Sequence, residues 1–556
     1  MDIRRTVIFI GLAISSYFLI LAWNDDYGQK PQANAPIEAS ANADTPDVPV
    51  AGNTDSDTPA DTADAAESEA PQVEDEAPVV SAAAPTGQLI SVETDVLQVK
   101  IDPRGGEIVE VLLPEYPASI DTPDVPFVLM ERNDRRTYVA QSGLIGKDGT
   151  DATLYSAEQT SYELAEGADE LSVVLTTTTD QTTLEKVFTF RRGDYLTDVS
   201  FRIHNTSEQP WKGRFYAQLK RDNSDDPSKN SSMGMSAYLG AALTTEEDRY
   251  KKVSFDDLEE SQFKAIENGG WAAILQHYFL SAWVPPQEEQ HTYNGRYVKG
   301  NYIFGFYDEP TIVAPGETGE VGSSLYMGPK DQDRLSEIAE NLELTVDYGW
   351  LWWIAQPLFW LLQNIHALVG NWGVAIILLT VLVKAAFFKL SATSYRSMAN
   401  MRKVAPKMNE IKEKYGDNRE KLGQEMMKLY KEEKINPLGG CLPILVQMPV
   451  FISLYWVLME SVELRQAPFM LWIQDMSVMD PYFILPLIMG ASMFLQMKLN
   501  PTPPDPMQAR VMQFMPIIFT IFFLWFPAGL VLYWVTNNVL SIAQQYVITK
   551  QIEKSA

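Results

Sequence analysis

The rhythm of apolar and polar positions changes three times along this chain of 556 residues. An apolar run from Thr6 to Trp23 comes first, about 18 residues or roughly 27 Å of helix, just enough for a bilayer's hydrocarbon core. Arg4 and Arg5 precede it and Asn24-Asp25-Asp26 follow it, with no small-residue cleavage pattern and no cysteine for lipid attachment. The run therefore predicts an uncleaved transmembrane anchor at 1–23. Residues 24–88 are nearly all Ala, Pro, Ser, Thr, Asn, Asp and Glu, with Lys30 the only base. Such a stretch cannot bury enough apolar surface to offset its ordering entropy, so a disordered acidic linker is predicted there. From 89 to 345 the period is two, as in Leu171–Thr176, Val187–Arg191 and Val199–His204. Turn residues such as Asp102-Pro103-Arg104-Gly105-Gly106 and Arg192-Gly193-Asp194 separate the segments. That pattern predicts a large β-sandwich, closed by a short polar helix at Lys330–Leu342.

Beyond Trp350 the chain turns apolar and aromatic. Trp350, Trp352, Trp353, Trp360 and Trp372 crowd a stretch interrupted by Pro357. Tryptophan favours the headgroup level, so 350–368 reads as a helix lying in the outer interface. Five spans follow at about 372–391, 440–459, 482–498, 511–526 and 528–547, with Pro527-Ala528-Gly529 turning between the last two. With the anchor there are six. The connection 395–437 carries about 11 Lys and Arg, whereas 460–481 carries only Arg465. The positive-inside rule then places 395–437 and both termini in the cytoplasm and residues 24–349 outside. Net charge agrees: the total is −29, yet from residue 350 onward about 18 bases outnumber about 13 acids. The acidity lies wholly on 6–349, which disfavours nucleic-acid binding there because phosphate is repelled.

Candidate chemistry is sparse. Cys441 is the only cysteine, so no internal disulfide forms. No metalloprotease, nucleophile-elbow or zinc spacing occurs, and His204, His277, His291 and His366 are scattered packing or surface residues. Enzymatic activity and cofactors are not predicted. Lys384 carries more information, since it sits about two-thirds of the way across a predicted span. A lysine facing lipid at a helix centre costs about 2.5–3.5 kcal/mol. Thr380, four residues earlier, makes the same face polar. Two readings stand: a wet, cationic cavity inside the bilayer, or a side chain snorkelling to the cytoplasmic surface as Lys389 does. Gln447, Gln496, Asn537 and Asn538 are further polar residues within spans, suited to a hydrated groove or to ordinary interhelical bonding. The segment 395–437 reads as a helical hairpin with arms Tyr395–Tyr415 and Arg419–Glu433 about Gly416-Asp417-Asn418. Its charges, among them Arg402, Lys403, Lys407, Glu425 and Glu433, form either a solvated face or a docking surface for a ribosome or targeting factor.

Several stretches are similar to one family. Asn436-Pro437-Leu438-Gly439-Gly440-Cys441-Leu442-Pro443, Gln447-Met448-Pro449-Val450-Phe451, Val462–Phe469, Asp505-Pro506-Met507-Gln508 and Phe523–Tyr533 resemble the YidC/Oxa/Alb membrane insertases in their Gram-negative form. The resemblance implies an α+β multidomain membrane protein. It would combine six transmembrane helices around a polar intramembrane groove, a large periplasmic β-sandwich and a cytoplasmic helical hairpin. It implies insertion, folding and assembly of inner-membrane proteins, alone or with the Sec translocon, with nascent integral membrane proteins, the ribosome or targeting factors, and lipids as partners. It also implies one positive residue in the groove, usually arginine. Lys384 occupies that position here and keeps the charge without the guanidinium fork. Thr380 and Gln447 match polar groove positions, Tyr533 and Trp534 fall where the last helix lines the client's path, and Glu425 and Glu433 match the hairpin. The family's outer domain looks like sugar-binding mutarotase folds, which is no evidence of sugar chemistry. A solute transporter or channel and a membrane-tethered sugar or envelope enzyme using the outer domain are the rival classes.

Overall fold

A computed structural model describes residues 88–146, 153–179, 182–228, 237–416, 418–433, 442–499 and 506–554. The predicted anchor 1–23, the acidic linker as far as residue 87, the Asn436–Cys441 part of the motif quoted above and Asp505 lie outside the described residues.

The first half is built from two sheets, one of eleven strands and one of nine, facing each other across a shared apolar core. Alternation explains the strands. In Leu196–Asn205, Val199, Phe201 and Ile203 point inward, while Ser200, Arg202 and His204 alternate with them toward the outside. The predicted turns form where φ must be positive: Gly105 at 74° and Gly106 at 62° between Gln98–Asp102 and Glu107–Ser119, and Gly193 at 67° between Thr182–Arg191 and Leu196–Asn205. A short helix, α1, spans Phe255–Glu260 behind a Ser254–Asp257 capping box. After the last strand comes α2, Gln332–Ile338, capped by the Asp331 carboxylate, which accepts from the Asp333 and Arg334 amides.

The second half is helical: α3 Trp352–Val369, α4 Trp372–Ala386, α5 Phe388–Tyr415, α6 Arg419–Glu432, α7 Leu442–Glu460, α8 Ile484–Leu499, α9 Pro506–Phe522 and α10 Ala528–Lys554. One face of α3 is buried through Ala355, Phe359, Leu362 and Ile365, leaving Trp352, Trp353 and Trp360 exposed on the other. The core of this half joins α3, α4, α7, α8 and α10. Where one span was expected over 372–391, the helix breaks at Phe387, and α4 meets the first part of α5 at 68°. The first arm of the hairpin consequently starts at Phe388 rather than at Tyr395. Its packing on α6 rests on Val404, Met408 and Leu429. Among the described residues no single helix is long and apolar enough to cross a membrane by itself. The bent pair α4–α5 passes the test jointly, and shorter apolar helices lie at Val446–Glu460, Ile484–Leu499 and Arg510–Trp525.

The two halves meet at the end of α7. Lys330 reaches Glu460 at 3.7 Å, both side chains nearly sealed from solvent. His277 bonds the Met459 carbonyl at 2.8 Å, and Lys252 pairs with Asp347 at 2.5 Å. Arg465 lies over the rings of Phe127 and Phe279 and donates to the Pro117 carbonyl at 2.7 Å. Val462 belongs to the sandwich core itself.

Candidate functional site

Lys384 occupies the last turn of α4, three residues before the break, and is only 8% exposed. Its ammonium does not point toward bulk solvent. Nζ donates to Ser541 Oγ of α10 at 2.8 Å and, at 3.4 Å, to Gln447 Oε1 of α7. Three helices thus converge on one cation, and among the described residues no carboxylate pairs with it. Ser541 in turn donates to the Asn537 carbonyl one turn earlier at 2.7 Å. Thr380 is buried on the same side of α4, but its hydroxyl is spent on the Ile376 carbonyl at 2.6 Å. It lines the site without bonding the lysine.

Around this charge the polar bonding is incomplete. Gln447 Nε2 and Trp534 Nε1 are shielded and have no partner among the described residues, an arrangement that costs free energy unless something polar enters beside them. Tyr533 is buried in the helical core, its ring 6.2 Å from Phe451. Trp534 meets Phe451 edge-on at 4.7 Å and Phe523 at 5.3 Å. Aromatic packing therefore flanks the polar cluster on the α7 and α10 side. Asn538 donates to Ser492 of α8 at 3.0 Å, so it serves a helix contact rather than the lysine.

The hairpin residues lie elsewhere, on α5, on α6 and, for Glu433, at the C-cap of α6. Lys407 and Glu433 form a 2.6 Å pair, and that carboxylate holds the ammonium above the usual lysine range. Lys403 is exposed and Glu425 half-buried on the same hairpin, and Arg402 belongs to α5. Ser541 was absent from the predicted site. Its spacing offered a clue, because Tyr533, Asn537, Ser541 and Gln545 recur every four residues along one face of α10. Among the described residues no group of His, Cys, Asp and Glu is arranged to hold a metal ion.

Relatives settle the lineage. The family model of the YidC periplasmic domain matches residues 89–361, and that of the 60Kd inner membrane protein matches 364–555. Membrane protein insertase YidC of Stutzerimonas stutzeri is 55% identical over 565 residues, covering 100% of both chains, and that of Azotobacter vinelandii is 56% identical over 562 residues, again covering 100% of both. The chain belongs to the YidC family. A solved structure described as an active YidC insertase with its first transmembrane domain resolved overlaps 83% of this chain and 93% of its own, at 18% identity and a TM-score of 0.37. YidC-family membership spans both halves, so the sandwich and the helical core with its lysine belong to one lineage and not to a chance fusion.

Proposed function

We infer that this chain is a membrane protein insertase and chaperone, not an enzyme. It accepts the polar tail of a client in a cationic groove and releases the client's apolar helix to lipid. The single observation that carries the reading is Lys384, a buried cation shared between α4, α7 and α10 with no carboxylate partner among the described residues. An acidic tail brought beside it gains attraction in a medium of reduced dielectric, lowering the cost of carrying polar chain part-way through the bilayer. Thr380, Gln447 and Ser541 supply dipoles around that charge, and Tyr533 and Trp534 line the way to lipid. The client's own apolar surface then drives it outward from the groove. A membrane potential, inside negative, adds to the work available for moving negative charge outward.

In the inner membrane this chain takes a multi-pass arrangement with both termini and the hairpin α5–α6 in the cytoplasm and the sandwich in the periplasm. The excess of bases in 395–437 supports that orientation. The hairpin, which carries Arg402, Lys403, Lys407, Glu425 and Glu433 along its sequence, receives ribosomes or targeting factors, and assembly beside the Sec translocon extends the role to multispanning clients. Site-specific crosslinking from Thr380, Gln447 and Tyr533 to a stalled nascent chain tests the route. Adducts from all three support it; adducts from none, with crosslinks only on the exposed face of α9, refute it.

A further inference from the structure

The segment between α7 and α8 has two faces. One grips the sandwich through Val462 and Arg465. The other is a tight turn, Phe469–Ile473, closed by the Phe469 amide on the Ile473 carbonyl at 3.0 Å and the Ile473 amide on the Met470 carbonyl at 3.1 Å. Helix ends on both sides staple this turn. Asn371, whose side-chain oxygen caps α4 by accepting from the Val374 amide, uses its Nδ2 to hold the Phe469 carbonyl at 2.9 Å. The Phe469 ring packs against Gly373, where a Cβ would come within 2.0 Å of it. Trp472 Nε1 donates to Asp480 at 3.0 Å, and the same carboxylate caps α8 by accepting from the Leu485 amide at 2.6 Å.

What this stapled turn presents is apolar. Leu471 is 76% exposed and Met470 51%. Every exposed residue from 466 to 483 except Gln474 is apolar or aromatic, including Tyr482 and Phe483 just before α8. Leu471 sits at φ 56°, in the left-handed region that favours glycine or asparagine. Its side chain therefore costs backbone strain and, in water, returns no packing. The occupant is indicated by continuity: the exposed row runs on into Leu487 and Ile488 on the open face of α8, and the only acids of 466–483 are turned inward on backbone amides, Asp475 on Ser477 and Asp480 on Tyr482 and Leu485. A rigid, uncharged, apolar tip at the outer ends of two helices fits a lipid surface, which needs no matching side chains and no ordering of the turn.

We propose that the Phe469–Ile473 turn is an outer-leaflet anchor whose Met470–Leu471 tip seats at the headgroup–acyl boundary and sets the depth of the helical core. The proposal rests on the reading of α4 and α8 as membrane spans. The test uses full-length protein carrying Cys441→Ser, with single cysteines introduced as Leu471→Cys, Ile488→Cys or Ile312→Cys. Each is labelled with an environment-sensitive fluorophore in phosphatidylcholine–phosphatidylglycerol vesicles. Lipids brominated near the top of the acyl chain should quench the label at 471, and aqueous iodide should quench it several-fold less than at 312 on the sandwich. Leu471→Asn, which keeps the left-handed turn, should raise iodide access at a Met470→Cys label. Full iodide access at 471 without quenching by brominated lipid, while the label at 488 is quenched by deeply brominated lipid, overturns the anchor alone and points to a protein partner for the tip. Absence of lipid quenching at 488 overturns the span reading and the anchor with it.

Discussion

If the charge of Lys384 performs the work assigned to it, changing that charge must alter selectivity among clients, not merely overall activity. A single carboxylate in a client tail about 6 Å from Nζ, at an effective dielectric near 20, gains about 3 kcal/mol. That corresponds to about a hundredfold in the rate of a step limited by tail entry. Lys384→Met keeps the volume and removes the charge, so it should slow an acidic-tailed single-span client by up to about a hundredfold while a neutral-tailed client changes little. Lys384→Glu turns the attraction into repulsion of similar size, and a client whose tail acid is replaced by lysine should recover. Lys384→Arg should insert both clients at near wild-type rates, because the cation survives. The assay is insertion into proteoliposomes of matched acidic, neutral and basic tails, scored by protease protection. The ratio between tails cancels any general loss of folded protein. Were Lys384→Glu to leave the acidic-to-neutral ratio at the wild-type value, the electrostatic argument would be wrong, whatever the absolute rates.

Other consequences are local. Ser541→Ala removes the shorter of the two bonds to Lys384, a charge-assisted contact worth about 1.5–3 kcal/mol, and should lower the stability of the helical core by about that amount while Ser541→Thr retains it. Lys330→Ala leaves Glu460 buried and unpaired, which should lower stability by about 3–5 kcal/mol, whereas Lys330→Met with Glu460→Gln should restore most of it; thermal unfolding in detergent reads both. Burial raises the Glu463 carboxyl from 4.5 to about 7. The folded state therefore holds a proton that the unfolded chain gives up, and stability should fall as pH rises from 4.5 through about 7, then level off. Glu463→Gln should flatten that part of the pH–stability curve, and an unchanged slope would assign the dependence to other groups. His277, pushed down to about 4 by burial, contributes the opposite trend, stability lost as pH falls below 6.5.

How much of this is legible in the sequence depends on what each position costs in its surroundings. Lys384 stood out because a charge inside an apolar run must be explained, and Thr380 four residues away marked the face. Its shortest partner did not stand out: a serine on an apolar helix ordinarily bonds its own preceding turn, as Ser541 also does to Asn537. The break at Phe387 was hidden for a related reason. No proline or glycine lies in Val383–Lys389, so nothing local forces the chain to bend. In the sandwich the alternation revealed strands and turns but not pairings. Lys186 reads as one more polar strand residue, yet it is wholly buried and donates to the carbonyls of Gly105, Gly106 and Ser142.

The same asymmetry makes polar residues of the helical half more informative about function than those of the larger sandwich. In water a polar residue on a strand costs almost nothing, so its presence discriminates nothing. Within an apolar bundle each polar group must find a partner, carry a function or face water, and Lys384 satisfies the first condition only partly, with two neutral acceptors for a full charge. Lys330 is paired with the Glu460 carboxylate at the far end of α7, and the buried Lys186 of the sandwich is held by three carbonyls, more acceptors than Lys384 has. On the function proposed above, the carboxylate-paired Lys330 is a joint and Lys384, with no carboxylate among the described residues, is the site. Introducing a carboxylate at Ser541 should accordingly close the site: Ser541→Asp would pair with Lys384, raise thermal stability relative to Ser541→Asn, and abolish the preference for acidic tails. A Ser541→Asp protein that kept that preference would show that tails are read by some other group.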